Sequence, residues 1–143
     1  MKFNLFIDKK RDEEVLVYAH ESSKLTEYIR ELCETDGIEL IGTKDKESEK
    51  LDINDINCFI SEENKVYALT SRDRFQIKYR LYQLEEQLPE SFVKINQSCI
   101  ANIKMILRFD ASIAGALKVR FKNGYSDYVS RRNLKSVKER LGL

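Results

Sequence analysis

The chain has 143 residues, 42% hydrophobic and 34% charged, with five glycines and one proline, which excludes a disordered chain and fits one compact domain or a small domain with an appendage. No apolar run reaches the length of a membrane span, and the opening "MKFNLFIDKKRDEEVLV" turns charged after Ile7 instead of forming an export signal, so a cytoplasmic protein is expected. The net charge is +1, but residues 1–56 hold 9 basic and 15 acidic side chains while residues 57–143 hold 16 and 9.

"KFNLFID" alternates Phe3, Leu5 and Ile7 at period two, and "VLVYA" is β-rich, so both read as strands. "SSKLTEYIRELCETDG" reads as a helix: Leu25, Tyr28, Ile29 and Leu32 share a face, Ser22 or Ser23 caps the start, and Gly37 suits the position just past the end. "IELIGT" resumes strand character. The charge run "KDKESEKLDIND" suits a linker or exposed hairpin and places a boundary near residue 50, with a segment 1–49 before it and a domain 50–143 after it.

Beyond the boundary, "INCFIS", "KVYALTS" and "RFQIKY" are short strands joined by polar turns. "RLYQLEEQLPESF" carries Leu81, Leu84 and Leu88 at helical spacing and ends at Pro89. "FVKINQ", "MILRFDAS", "ALKVRFKN" and "YSDYVS" follow as strands, the last two joined by the hairpin dipeptide Asn123-Gly124, and "RRNLKSVKERLGL" closes as a helix. The fold expected is mostly β, α+β overall: small antiparallel sheets with short helices, preceded by a β-β-α-β segment.

Past Phe92 the charge count is 11 basic against 3 acidic, the footprint of a polyanion-binding surface, although a solvated face has the same composition. Three widely spaced cysteines, Cys33, Cys58 and Cys99, and the single histidine His20 argue against a zinc site and for free buried thiols. No phosphate loop, Cys/His dyad or spaced acidic motif supports an enzyme, and no cofactor is expected.

From about residue 50 to its end the chain resembles the LytTR family of bacterial DNA-binding domains. The resemblance rests on "RLYQLEEQLPESF", then "FVKINQSCIANIKMI", then "LKVRFKNGYSDYVSRRNLKSVKERL", in that order and spacing. It implies a domain that lies along duplex DNA and inserts loops at a sheet edge into successive major grooves. Carried over by position, Arg132 is the main base reader, an arginine being able to fork onto guanine, and Ser130 and Arg131 serve phosphate or packing. Lys94, Asn96, Gln97 and Ser98 form a second contact corner, and Asn64 and Lys65 a third.

Other readings stand beside these. The lesser alternative for Arg132 is a solvated helix-start residue, and Asn102 and Ser98 fit local caps. Tyr125 and Tyr128 fit cross-strand pairs as well as base stacking, and Lys118, Arg120 and Lys122 share one strand face that is either DNA-facing or merely wet. Fifty residues before the domain are too few for the receiver found in many LytTR regulators, so phosphorelay control is not expected. The front end instead resembles that of small LytTR regulators often restrained by a membrane-bound partner protein. Through "KFNLFID" it would form a homodimer suited to repeated half-sites, acting on the transcription machinery; a monomer with a covering front end is the alternative. The competing function is a protein-protein interaction module that binds no nucleic acid.

Overall fold

The computed structural model describes residues 2–12, 14–34, 38–111 and 115–143, which divide into two units, Met1–Cys33 and Glu34–Leu143. Among the described residues of the first unit the regular element is helix α1, Lys24–Glu34. Ser23 caps it: its Oγ accepts the Thr26 N–H at 3.3 Å while Thr26 Oγ1 accepts the Ser23 N–H at 2.8 Å. Gly37, the expected residue past its end, lies outside the described residues.

Two expected strands are corrected. Residues 2–7 and 14–19 form no strand, and Phe3, Phe6, Ile7 and Tyr18 are each more than 80% exposed. Alternation supplies only half of what a strand requires. Its N–H and C=O groups also need a partner ladder, and these segments have none.

The second unit is built on antiparallel strands. Strands β1 (Leu40–Lys44), β2 (Glu47–Leu51), β3 (Ile56–Glu62), β4 (Lys65–Thr70), β5 (Arg74–Ile77), β6 (Phe92–Asn96) and β7 (Cys99–Asn102) form a seven-stranded sheet in the order β2-β1-β5-β4-β3-β7-β6. Strands β8 (Ile106–Ala111), β9 (Leu117–Phe121) and β10 (Ser126–Val129) form a smaller one. Helix α2 (Leu81–Gln87) follows β5, and helix α3 (Leu134–Leu141) ends the chain with Gly142 in the left-handed conformation as its cap. The charge run at 44–55 is thus a hairpin rather than a linker, with Asp45 and Lys46 at positive φ in its turn.

Alternation along the large sheet sends side chains into two cores. One face, with Phe59, Ala68, Ile77 and Ile100, packs against Leu81 and Leu84 of α2. The other, with Cys58, Leu69, Ile95 and Cys99, packs against Val119 and Phe121 of the small sheet and Val137 of α3. At tight points the sequence uses small residues. A Cβ on Gly42 would lie 2.6 Å from the Phe75 Cβ and 2.7 Å from Leu51 Cδ1, so β1 approaches its neighbours only because position 42 has no side chain.

The Asn123-Gly124 dipeptide does turn β9 into β10, with Gly124 at φ 90° and the Phe121 carbonyl accepting the Gly124 N–H at 2.9 Å. It also latches the two sheets together. The Asn123 N–H donates to the buried Asn57 Oδ1 at 3.2 Å, and Asn123 Nδ2 to the Thr70 carbonyl at 3.3 Å. Asn102, buried between strand and turn, donates to the Ile56 carbonyl at 2.9 Å and accepts the Lys104 N–H at 3.1 Å, the structural role of a cap.

Candidate nucleic-acid interface

Three connections meet at one end of the large sheet. The β3–β4 turn places Glu63 and Asn64 at φ 51° and 62°, the pair of left-handed residues that a tight two-residue hairpin requires. Lys65 follows as the exposed first residue of β4. The β6–β7 turn is Gln97-Ser98, both exposed. After β10 the chain turns through Ser130, Arg131 and Arg132 into α3.

Hydrogen bonds tie these connections side by side. The Ser61 N–H donates to the Ser98 carbonyl at 2.8 Å, joining the ends of β3 and β7. Asn96 Nδ2 donates to the Tyr128 carbonyl and Asn96 Oδ1 accepts the Ser98 N–H, each at 2.8 Å. The Ser130 N–H donates to the Ile95 carbonyl at 2.8 Å, and Ser130 Oγ accepts Asn133 Nδ2 at 3.0 Å. The candidate residues therefore divide by chemistry. Asn96 and Ser130 hold the turns to one another, whereas Gln97, Arg131 and Arg132 are exposed, with no ion pair on either arginine among the described residues.

Lys94 lies apart from that edge. It points to the face covered by α2, with its Nζ 3.8 Å from Glu85 Oε2 and its side chain 35% exposed. On the outer face of the small sheet Lys118 pairs across strands with Tyr128, its Nζ 5.8 Å from the ring, and Arg108 stands opposite Arg120. Tyr125 is half-buried against Phe121, at 6.1 Å between ring centroids, and its hydroxyl donates to Asp127 Oδ2 at 3.4 Å. Burial, then the Asp127 charge, raises its pKa above the ordinary tyrosine value.

Two residues near the edge escape a linear reading. Arg80 precedes α2, yet its Nη1 reaches back to donate to the Asn64 carbonyl at 2.7 Å, bracing the β3–β4 turn from 16 residues away. Arg74 lies 3.9 Å over the Tyr67 ring and pairs with Glu62; that hydrogen bond, opposed by burial, raises its pKa. Neither position carries a local signal, because both partners come from another strand. Among the described residues no cluster of His, Cys, Asp or Glu could hold a metal, and no helix is long and apolar enough to cross a membrane.

The helices α1, α2 and α3 are separated by strands, so no consecutive pair among the described residues presents a recognition helix; exposed turns carry the candidate polar groups. The model of the LytTr DNA-binding domain matches residues 46–142. The chain is 34% identical, over 100% of its length and 99% of the relative's, to an uncharacterized HTH-type transcriptional regulator of Staphylococcus aureus strain MSSA476, and 33% identical, with the same coverage, to one of strain N315. Among solved structures it is similar, with a TM-score of 0.70, 19% identity and coverage of 75% of this chain and 100% of the other, to the LytTr DNA-binding domain of a Bacillus cereus protein described as a methyl-accepting/DNA response regulator. With a family model spanning well over half of it and full-length relatives above 30% identity, the chain belongs to the LytTR DNA-binding domain family.

Proposed function

We propose that this protein is a sequence-specific regulator of transcription that meets duplex DNA with the row of turns at the end of its large sheet. The observation that carries the reading is the hydrogen-bonded alignment of the turns at 63–64 and 97–98 with the corner at 130–132, which presents exposed Gln97, Arg131 and Arg132 together. In this reading Arg132 reads guanine through a two-pronged contact, and Gln97 offers an amide to adenine. Arg131, Ser98, Asn64 and Lys65 meet phosphates and fix the register. Asn96 and Ser130 position the turns, and Lys94, partly neutralised by Glu85, adds long-range attraction.

The exposed apolar residues of Met1–Cys33 support a role for that unit in assembly, as a homodimer or against a membrane-bound partner protein, with residues 50–143 as the DNA-binding part of a cytoplasmic protein acting on the transcription machinery. The deciding experiment maps bound sites across the genome and then titrates the wild type and Arg132→Ala on the operator and its single-base variants. A base reader costs roughly 1–3 kcal/mol on the operator and relaxes preference at one base pair. Equal weakening on every sequence would make Arg132 a phosphate clamp and move the reader to Gln97.

A further inference from the structure

A groove of about 310 Å³ lies beside the β3–β4 turn, over the ends of β4, β5 and β1. Its charged lining is Lys65, Lys78 and Arg80; no carboxylate lines it, and Asn64, Gln76 and Thr43 supply neutral polar groups. None of the three cations has an ion pair among the described residues; of the two acidic residues beside the turn, Glu62 is held by Arg74, and Glu63 is exposed and does not line the groove. Lys65 and Lys78 each lie one residue beyond Val66↔Ile77, the last pair of the β4–β5 ladder, and both line the groove. Like charges lining one groove repel each other, and an anion between them relieves the repulsion. Arg80 is held at the rim by two bonds, its N–H to Gln83 Oε1 at 2.9 Å and its Nη1 to the Asn64 carbonyl at 2.7 Å, leaving other guanidinium N–H groups for a ligand.

We propose that this groove binds the DNA backbone, taking phosphates that flank the bases met by the turns. The inference rests on the DNA-binding reading above and extends its footprint to Lys78 and Arg80. Distance favours a flanking position. From the middle of the β6–β7 turn to β5 is three and a half strand spacings, roughly 17 Å, whereas a major groove is about 12 Å wide. With the β6–β7 turn seated in a major groove, β5 therefore lies past the rim of that groove, over the sugar-phosphate strand. The contact is sequence-independent, so it adds affinity and register rather than base preference.

The test measures affinity for a mixed-sequence duplex of about 30 base pairs against salt, each phosphate contact contributing about 0.9 to the slope of log K on log salt. Lys78→Gln should lower the magnitude of the slope by about 0.9 and Lys78→Gln/Arg80→Gln by about 1.8. A charge-matched control, Lys46→Gln/Arg72→Gln, alters turns at the opposite end of the sheet and should leave the slope within error of wild type. Because Arg80 also braces a turn, Lys78→Gln, which breaks no side-chain hydrogen bond or ion pair among the described residues, decides the matter if the double variant melts early.

An unchanged slope in a folded Lys78→Gln that still binds duplex overturns this proposal alone. Failure of the wild type to bind any duplex overturns the DNA-binding reading and this one with it. Inorganic phosphate that shifts the Lys78 and Arg80 amide resonances while the duplex slope stays unchanged would make the groove a small-anion site and also overturn the proposal.

Discussion

Asn102→Ala separates a structural asparagine from a DNA-contacting one. Its amide satisfies the Ile56 carbonyl at 2.9 Å and the Lys104 N–H at 3.1 Å, and the residue is 3% exposed. Truncation removes these two hydrogen bonds, one to a buried carbonyl and one from a partly buried N–H, at about 1–3 kcal/mol for a fully buried group and less where water reaches the donor. The total is about 2–4 kcal/mol. A cooperative unit of about 110 residues unfolds with an entropy near 0.23 kcal/mol/K, so the melting temperature should fall by about 9–17 °C. Asn102 ends β7, at the opposite end from the Gln97-Ser98 turn, so duplex affinity below the melting transition should stay within about twofold, well under 1 kcal/mol. The assays are thermal unfolding by circular dichroism and fluorescence anisotropy on the same preparation. A melting point within 2 °C of wild type, roughly half a kcal/mol, together with lost DNA affinity would refute the reasoning.

Gly42→Ala forces a Cβ against Phe75 and Leu51 and should destabilise the unit by about 1–3 kcal/mol, read as a lower urea midpoint at unchanged m-value. Iodoacetamide should modify exposed Cys33 in the native protein, while Cys58 and Cys99, both buried, should react only on unfolding, as peptide mass spectrometry will report. A hydrogen bond with Cys58 and then burial hold the Cys99 pKa far above the ordinary thiol range. The stability this implies is fully present below the unfolded thiol pKa of about 8.5 and is lost as pH rises beyond it, by about 1.4 kcal/mol per pH unit, so urea midpoints at pH 7.5 and 9.5 should differ less in Cys99→Ala than in wild type. A fragment of residues 38–143 should melt above one of 50–143, because the shorter piece loses β1, its buried Leu40 and the cover on the β5 edge.

Most local elements from residue 38 onward were legible because their signals are short-range, but the four-residue β7 was not, its buried run being too short to show a period. Alternation in "KVYALTS" marks β4, leucines at helical spacing mark α2, and the left-handed demand of a hairpin turn marks Asn123-Gly124. The order of "FVKINQSC" and "SRRNL" along the chain likewise identified the family. Two kinds of fact were beyond that reading. Alternation in "KFNLFID" and "VLVYA" cannot say whether a ladder partner exists, and none does among the described residues, so both segments stay unpaired. The direction and occupation of a polar side chain depend on neighbours distant in sequence: Asn96 is committed to Tyr128, Lys94 faces Glu85 across the sheet from the turns, and Arg80 reaches Asn64. Composition and period choose each element from contacts within a few residues. Only the packing of two sheets decides which donors are consumed inside the fold and which remain exposed at its edge.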